Sequence, residues 1–193
     1  MAYSGFTKVI VATLIAPSTL AVAQSTSSAN EPPPRPPTVA KMAPAKAAAD
    51  MQQVLDALAR LGAKPVEKLT PAQARVNPSV ADAAKAVMAK RGMTTAPDSS
   101  VTTRDMSYGS DQQQFARIYI PANVKLGQMM PIIVYYHGGG WVIATVDTYD
   151  AAPRLMAQQL GAVVISVEYR HAPEAKFPAQ HEDAANAYRW VLG

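Results

Sequence analysis

From Lys46 onward the apolar positions follow two regimes, a helical period first and strand-like runs after it. Met51, Val54, Leu55, Leu58 and Leu61 share one face at 3.6-residue spacing, and Gly62 follows as a stop signal. Thr70-Pro71-Ala72-Gln73 reads as an N-cap, a proline at the first helical position and a capping-box glutamine. Ser79, with Asp82 three residues on, opens another helix whose stripe is Val80, Ala83, Ala84, Val87 and Met88 and whose end is Gly92. These stripes are ordinary packing faces, and residues 46–93 are expected to cover something rather than to supply chemistry.

Beyond Pro97 the pattern changes. Residues 101–108 and 114–120 are short, partly alternating runs separated by Gly109-Ser110-Asp111, which predicts a hairpin. Residues 131–136 and 162–168 are almost continuously β-branched or aromatic, as strands buried on both faces require. Between them a helix is expected over 147–160, with Pro153 in its first turn and Gly161 at its end. A last helix starts near Pro178, with Ala184, Ala187, Tyr188 and Val191 on one side. A hairpin followed by strand, helix, strand and helix predicts an α/β layered domain with a mostly parallel sheet.

The first 45 residues read differently. Lys8 precedes an apolar run over 9–15 that continues to Ala21-Val22-Ala23, a small-x-small triplet. That is the pattern of a secretory signal peptide cut after Ala23, which predicts export to the periplasm or beyond. The run contains Pro17 and falls short of the about 20 apolar residues of a membrane anchor. Residues 24–45 hold a Ser/Thr-rich start and Glu31-Pro-Pro-Pro-Arg-Pro-Pro37, an extended spacer. The expected organisation is therefore 1–23 signal, 24–45 linker, 46–100 helical cap and 101–193 core.

Composition narrows the function classes. A net charge of +4 with no run of five like charges gives no nucleic-acid footprint. The absence of cysteine excludes disulfides, thiolate metal sites and a cysteine nucleophile.

One motif stands out. Directly after the 131–136 strand comes His137-Gly138-Gly139-Gly140-Trp141. In a parallel sheet this is the carboxyl end of a strand, where ligands bind. Successive glycines let the backbone approach a ligand and turn N–H groups toward an anion. A dinucleotide loop would need a third glycine where Ile143 stands, so that reading fails. A purely structural glycine turn stays open. The strand-then-HGGG order matches the oxyanion loop of lipases and esterases. None of His137, His171 and His181, the only histidines, has the i, i+4 partner of a helical zinc site, so no metal is expected.

A second segment agrees with the first: Glu168-Tyr169-Arg170-His171-Ala172-Pro173-Glu174, then Phe177-Pro178-Ala179 and Glu182-Asp183. With HGGGW it resembles the hormone-sensitive-lipase-like (bacterial type IV) esterases of the α/β-hydrolase fold, where this stretch commonly reads YRLAPE…FPA…D. The likeness runs from about residue 47 to 193, and 70–76 resembles the family's cap region. His171 stands where leucine is usual, and Ala144 where a glycine commonly follows the loop. The resemblance implies that Gly139 and Gly140 donate to an oxyanion, with His137 and Gly138 shaping the loop and Trp141 a weak substrate contact. It also implies a small ester substrate, a short acyl group and no metal or organic cofactor. Arg170, Glu174 and Asp183 are expected to form ion pairs beneath the site, and His181-Glu182-Asp183 a solvated helix start.

An esterase of this type needs a serine on a G-x-S-x-G elbow, then an acid, then a histidine. No serine of these 193 residues has that setting: Ser166 lies inside a strand, and Ser107 and Ser110 flank the hairpin turn. By resemblance the chain is the N-terminal half of an α/β-hydrolase fold, truncated before the elbow, with no catalytic triad residue and no activity by itself. The edge of the 131–136 strand would then be bare, and the isolated chain is expected to fold poorly or to self-associate. The alternative is a non-catalytic exported binding or scaffold domain derived from a hydrolase half. In a further variant, a separate chain supplies the missing part.

Overall fold

The computed structural model describes residues 46–193 except Leu126. The signal peptide and the linker expected over 1–45 lie outside the described residues.

Helix α1 (Ala49–Arg60) carries Asp50 in its first turn and Arg60 in its last, each at the helix end its charge suits. Its apolar stripe is only partly covered: Ala57 is buried, whereas Met51, Leu55 and Leu61 stay exposed. After a 3₁₀ turn at Val66–Lys68 come α2 (Pro71–Arg75) and α3 (Val80–Lys90). Both predicted capping boxes form. Thr70 Oγ1 accepts from Gln73 N at 3.3 Å while Gln73 Oε1 accepts from Thr70 N at 3.0 Å. Ser79 Oγ accepts from Asp82 N at 3.2 Å and Asp82 Oδ2 accepts from Ser79 N at 2.8 Å. Losing such a cap exposes helix-end donors, so Ser79→Ala is expected to cost about 1 kcal/mol. Urea unfolding of the host-made protein, followed by circular dichroism, checks this; an unmoved midpoint would contradict it.

The sheet has four strands in the order β1-β2-β4-β3. β1 (Val101–Ser107) and β2 (Phe115–Pro121) are antiparallel, with Val101 opposite Pro121 and Ser107 opposite Phe115. β4 (Val163–Val167) runs antiparallel to β2, and β3 (Ile132–Tyr136) runs parallel to β4. The α/β class stands, but the sheet is mixed, its parallel part being β4 with β3. The reason is topological: the hairpin contributes two strands before the first helical crossover, and only a crossover makes a parallel pair. Alternate residues feed two cores. Ile118, Ile132, Val134, Ile165 and Val167 pack on the side of α5 (Ala179–Leu192) with Ala187. Tyr119, Ile133 and Val164 pack on the opposite side with Ala157 of α4 (Ala151–Leu160).

The helix expected from 147 begins at Ala151 instead. Thr145 and Thr148 trade hydrogen bonds between each other's hydroxyls and N–H groups at 3.2 and 3.4 Å, which holds a turn in place of a helical start. Because β3 and β4 are parallel neighbours, the loops leaving their carboxyl ends, after Tyr136 and after Val167, emerge side by side. No helix among the described residues is long and apolar enough to cross a membrane.

Candidate functional site

The loop after β3 is held in an unusual backbone path. Gly139 has φ +138° and Gly140 φ +59°, and both Trp141 (φ +61°) and Ala144 (φ +69°) also lie in the left-handed region. Gly139 has no alternative: a Cβ there would sit 1.8 Å from the Ile143 carbonyl oxygen. That closeness arises because Gly139 O accepts from both Val142 N and Ile143 N at 3.1 Å, folding the loop back on itself. Among the described residues, neither the Gly139 nor the Gly140 N–H donates a hydrogen bond. Two uncommitted donors at the carboxyl end of a strand are what an anion-binding loop needs.

His137 anchors the loop from below. It is buried, and its ring stacks on Tyr169 with centroids 4.5 Å apart. Its Nδ1 donates to Gly138 O at 2.9 Å, and its Nε2 lies 3.2 Å from Glu168 Oε1. Tyr169 OH donates to His137 O at 2.8 Å, and burial, aided by the Glu168 charge, pushes that phenol up to about 12. Glu168 Oε2 accepts from Val146 N at 2.8 Å, so one buried carboxylate ties both ends of the 137–146 loop. Tyr149 OH would stand 3.0 Å from a Cβ on Gly138, so that position too has little room.

His171 completes a buried cluster: one ligand-type atom each from His137, Glu168 and His171 lie within 4.8 Å of one another. The i, i+4 rule that argued against a metal could not see it, because the histidines come from two loops. The hydrogen bonds assign it differently. Gln113 Oε1 accepts from the His171 backbone N–H, and Gln113 Nε2 faces His171 Nδ1, both at 3.3 Å. Nδ1 is therefore the acceptor and Nε2 carries the proton, a donor rather than a lone pair for a metal. That N–H lies 3.3 Å from Glu168 Oε1 but off the line of a hydrogen bond. Burial pushes the His171 imidazole below its ordinary pKa, with the Glu168 charge opposing.

Trp141 is half exposed at the rim, its ring 5.5 Å from that of His181, which in turn meets Phe177 at 5.1 Å. The expected solvated start of the last helix holds for His181 and Glu182 but not for Asp183, which is fully buried. Asp183 accepts from Arg170 N at 3.0 Å, from Arg170 Nη2 at 2.7 Å and from Gln114 Nε2 at 2.6 Å. Burial raises its pKa, but these bonds outweigh burial and hold the carboxyl below its ordinary value.

Glu174, the remaining residue expected in an ion pair, has its partner outside the core. Glu174 pairs with Arg75 at the end of α2, at 2.6 Å. Arg75 also donates from Nε to Val142 O at 2.9 Å and from Nη2 to Ala172 O at 2.8 Å. Residues 46–93 thus reach the site, contrary to the expectation that they only cover it; a single arginine in a polar stretch leaves no periodic trace. The Arg75 guanidinium holds the Glu174 carboxyl down to about 2. A carboxyl depressed in the folded state adds stability above its unfolded pKa of 4.5, and that stability is lost as pH falls toward about 2. Glu174→Gln is therefore expected to be less stable than the parent above pH 4.5 and to converge with it by about pH 2. Parallel pH series of urea midpoints check this, and a gap that persists at pH 2 would contradict it.

The α/β-hydrolase fold family profile matches residues 133–193, the stretch that contains both loops. Carboxylesterase NlhH of Mycobacterium tuberculosis is 39% identical over 95 residues, covering 49% of this chain and 29% of that protein. A probable carboxylesterase of Arabidopsis thaliana is 36% identical over 92 residues, covering 46% and 28%. Among solved structures, an esterase from Pseudomonas putida superposes with a TM-score of 0.53 at 27% identity, covering 72% of this chain and 42% of that one. An esterase of the archaeon Pyrobaculum calidifontis gives 0.52 at 33%, covering 72% and 41%.

The chain is similar to these esterases and carries the α/β-hydrolase fold over residues 133–193. It spans about three-tenths of these curated relatives' length and about two-fifths of the solved structures'. Within this hydrolase segment the two N–H donors, the buried histidine clamp and the arginine brace form one connected assembly around residues 137–146. The sequence singles out Gly139, Gly140 and His137; Glu168 as the tie for both loop ends, Tyr169 as the stacking partner and Arg75 as a cross-brace emerge from the fold.

Proposed function

We propose that the chain is the oxyanion-binding part of a serine-type carboxylic ester hydrolase. Gly139 and Gly140 hold the charge that develops on the ester carbonyl oxygen. A serine on a G-x-S-x-G elbow, absent from these 193 residues, attacks the carbonyl carbon. A histidine takes the serine proton and returns it to the leaving alcohol. The observation that carries this reading is the pair of uncommitted Gly139 and Gly140 N–H groups at the carboxyl end of β3. The esterase names of the relatives support it. His137 positions the loop and does not act as base, since both its ring nitrogens are engaged. Neither a metal nor an organic cofactor enters this mechanism. Trp141, exposed beside the donors, contributes a contact to the substrate.

The preferred acyl groups are short, and the protein is exported after cleavage behind Ala23. The β3 edge, which has no strand partner among the described residues, takes a further strand in the complete hydrolase and pairs copies when the chain stands alone. The protein as its host makes it is expected to hydrolyse p-nitrophenyl acetate and butyrate faster than the dodecanoate. No hydrolysis of any of the three would overturn the proposal. The missing elbow favours one other reading, an exported binding or scaffold domain in which the loop holds a carboxylate and no reaction follows. In that case acetate protects the 137–146 amides from exchange while all three esters stay intact.

A further inference from the structure

The 137–146 loop holds four residues, Gly139, Gly140, Trp141 and Ala144, in left-handed backbone conformations, and two of them are not glycine. Such a path is strained at each non-glycine position and persists only where surrounding contacts over-determine it. Glu168 and Tyr169 supply those contacts at the start and end of the loop, at His137 and Val146. The middle, directly after the two donor glycines, has no partner from the sheet. There the Trp141 carbonyl accepts from Ala172 N at 2.8 Å and the Val142 carbonyl accepts from Arg75 Nε at 2.9 Å. Arg75 Nη2 also takes the Ala172 carbonyl, at 2.8 Å, and Nη1 with Nη2 grips Glu174 at 2.9 and 2.6 Å. One guanidinium thus joins three segments far apart in sequence: the last residue of α2, the turn after the donor glycines, and the loop after β4.

We infer that Arg75 is a positioning residue for ester hydrolysis, holding the Gly139 and Gly140 N–H groups at the place where the oxyanion forms. The inference rests on the proposed hydrolase reading and adds that the helical segment sets the transition-state geometry. The planar fork of arginine is needed, because two of its edges address carbonyls on different loops while a third pairs with a carboxylate. A lysine ammonium, a single point donor on a flexible stem, cannot span them. α2 is fitted to present the fork: its N-terminus is fixed by the Thr70–Gln73 capping box, and Arg75 lies at its other end. Glu174 contributes less than the two carbonyls, being mostly exposed, so it aims the guanidinium rather than the loop.

The test compares the host-made protein with Arg75→Ala, Arg75→Lys and Glu174→Gln. With p-nitrophenyl acetate, Arg75→Ala and Arg75→Lys are expected to lower kcat about 10- to 100-fold with KM within about threefold, because the donors serve the transition state. Millimolar guanidinium chloride is expected to restore at least a third of the activity of Arg75→Ala and to leave Arg75→Lys unchanged. Glu174→Gln is expected to fall less than about threefold. Independently of activity, the Gly139, Gly140 and Trp141 amides of Arg75→Ala should exchange with solvent at least tenfold faster than in the parent. Retained kcat, a rise in KM alone, absence of guanidinium rescue in a folded variant, or unchanged amide exchange would each overturn the inference. If Arg75→Ala does not fold, Arg75→Lys decides by the same kcat and exchange criteria. A parent protein without hydrolysis but with faster loop exchange in the variant would sink the hydrolase reading and leave the brace standing.

Discussion

Gly139→Ala is expected to lower ester hydrolysis by the host-made protein about 100- to 1000-fold, the range associated with losing an oxyanion donor. The added Cβ would stand 1.8 Å from the Ile143 carbonyl oxygen and 2.8 Å from its carbon. Those are backbone atoms fixed by the two bonds that Gly139 O accepts, so no rotamer relieves the clash. The loop must open, and both donors leave their positions. The same strain should lower stability by about 2–3 kcal/mol, read as a shift in the urea midpoint. Gly140→Ala is the informative partner. Its φ is also left-handed, but nothing lies within 4 Å of a Cβ there. It should therefore cost about 1–2 kcal/mol of backbone strain and keep the loop closed, with hydrolysis falling less than about tenfold. Equal effects at the two glycines would mean that the bond pattern around Gly139 does not govern the loop.

Asp183→Ala carries the largest expected loss of stability, about 3–5 kcal/mol. Its carboxylate is fully buried and takes bonds from the Arg170 backbone, the Arg170 guanidinium and Gln114. Removing it leaves the Arg170 guanidinium with the Asp111 charge and with Glu182 at 3.9 Å, and leaves the Arg170 N–H and Gln114 Nε2 without their acceptor at the base of the loop after β4. Replacing both partners, with Arg170→Met added to Asp183→Ala, should recover much of the loss, since an apolar pair of similar size avoids the stranded charge. Urea unfolding of the single and double variants gives the comparison. A double variant no more stable than Asp183→Ala would contradict the assignment of the loss to the stranded arginine.

The legible parts of this chain were those with local causes. Thr70–Gln73 and Ser79–Asp82 announced their helices because a capping box is a short-range chemical pattern, and both boxes form. The β-branched runs announced β3 and β4, and three glycines after a strand announced the loop. What stayed hidden came from contacts far apart in sequence. Asp183 is expected in an ion pair beneath the site and forms one with Arg170, but its complete burial depends on the packing of α5 against the sheet. Arg75 is one of many basic residues in a polar segment, and its role depends on loops 67 and 97 residues away. The helix start at Ala151 was masked because Pro153 fits a first turn beginning at several nearby positions, and the Thr145–Thr148 exchange decides among them. The mixed sheet follows from how the hairpin joins the parallel pair, a matter of topology that a strand's own residues do not encode.

The proposed function requires the 137–146 loop to work with a serine nucleophile. The most direct measurement is the intact mass of the protein as its native host makes it, captured with an antibody to residues 46–93 and exposed to a fluorophosphonate. The expected product lies well above the 20.5 kDa of these residues and carries a single phosphonyl adduct on a serine. A product at or below 20.5 kDa that takes up no phosphonate would contradict it and leave a loop that binds without reacting.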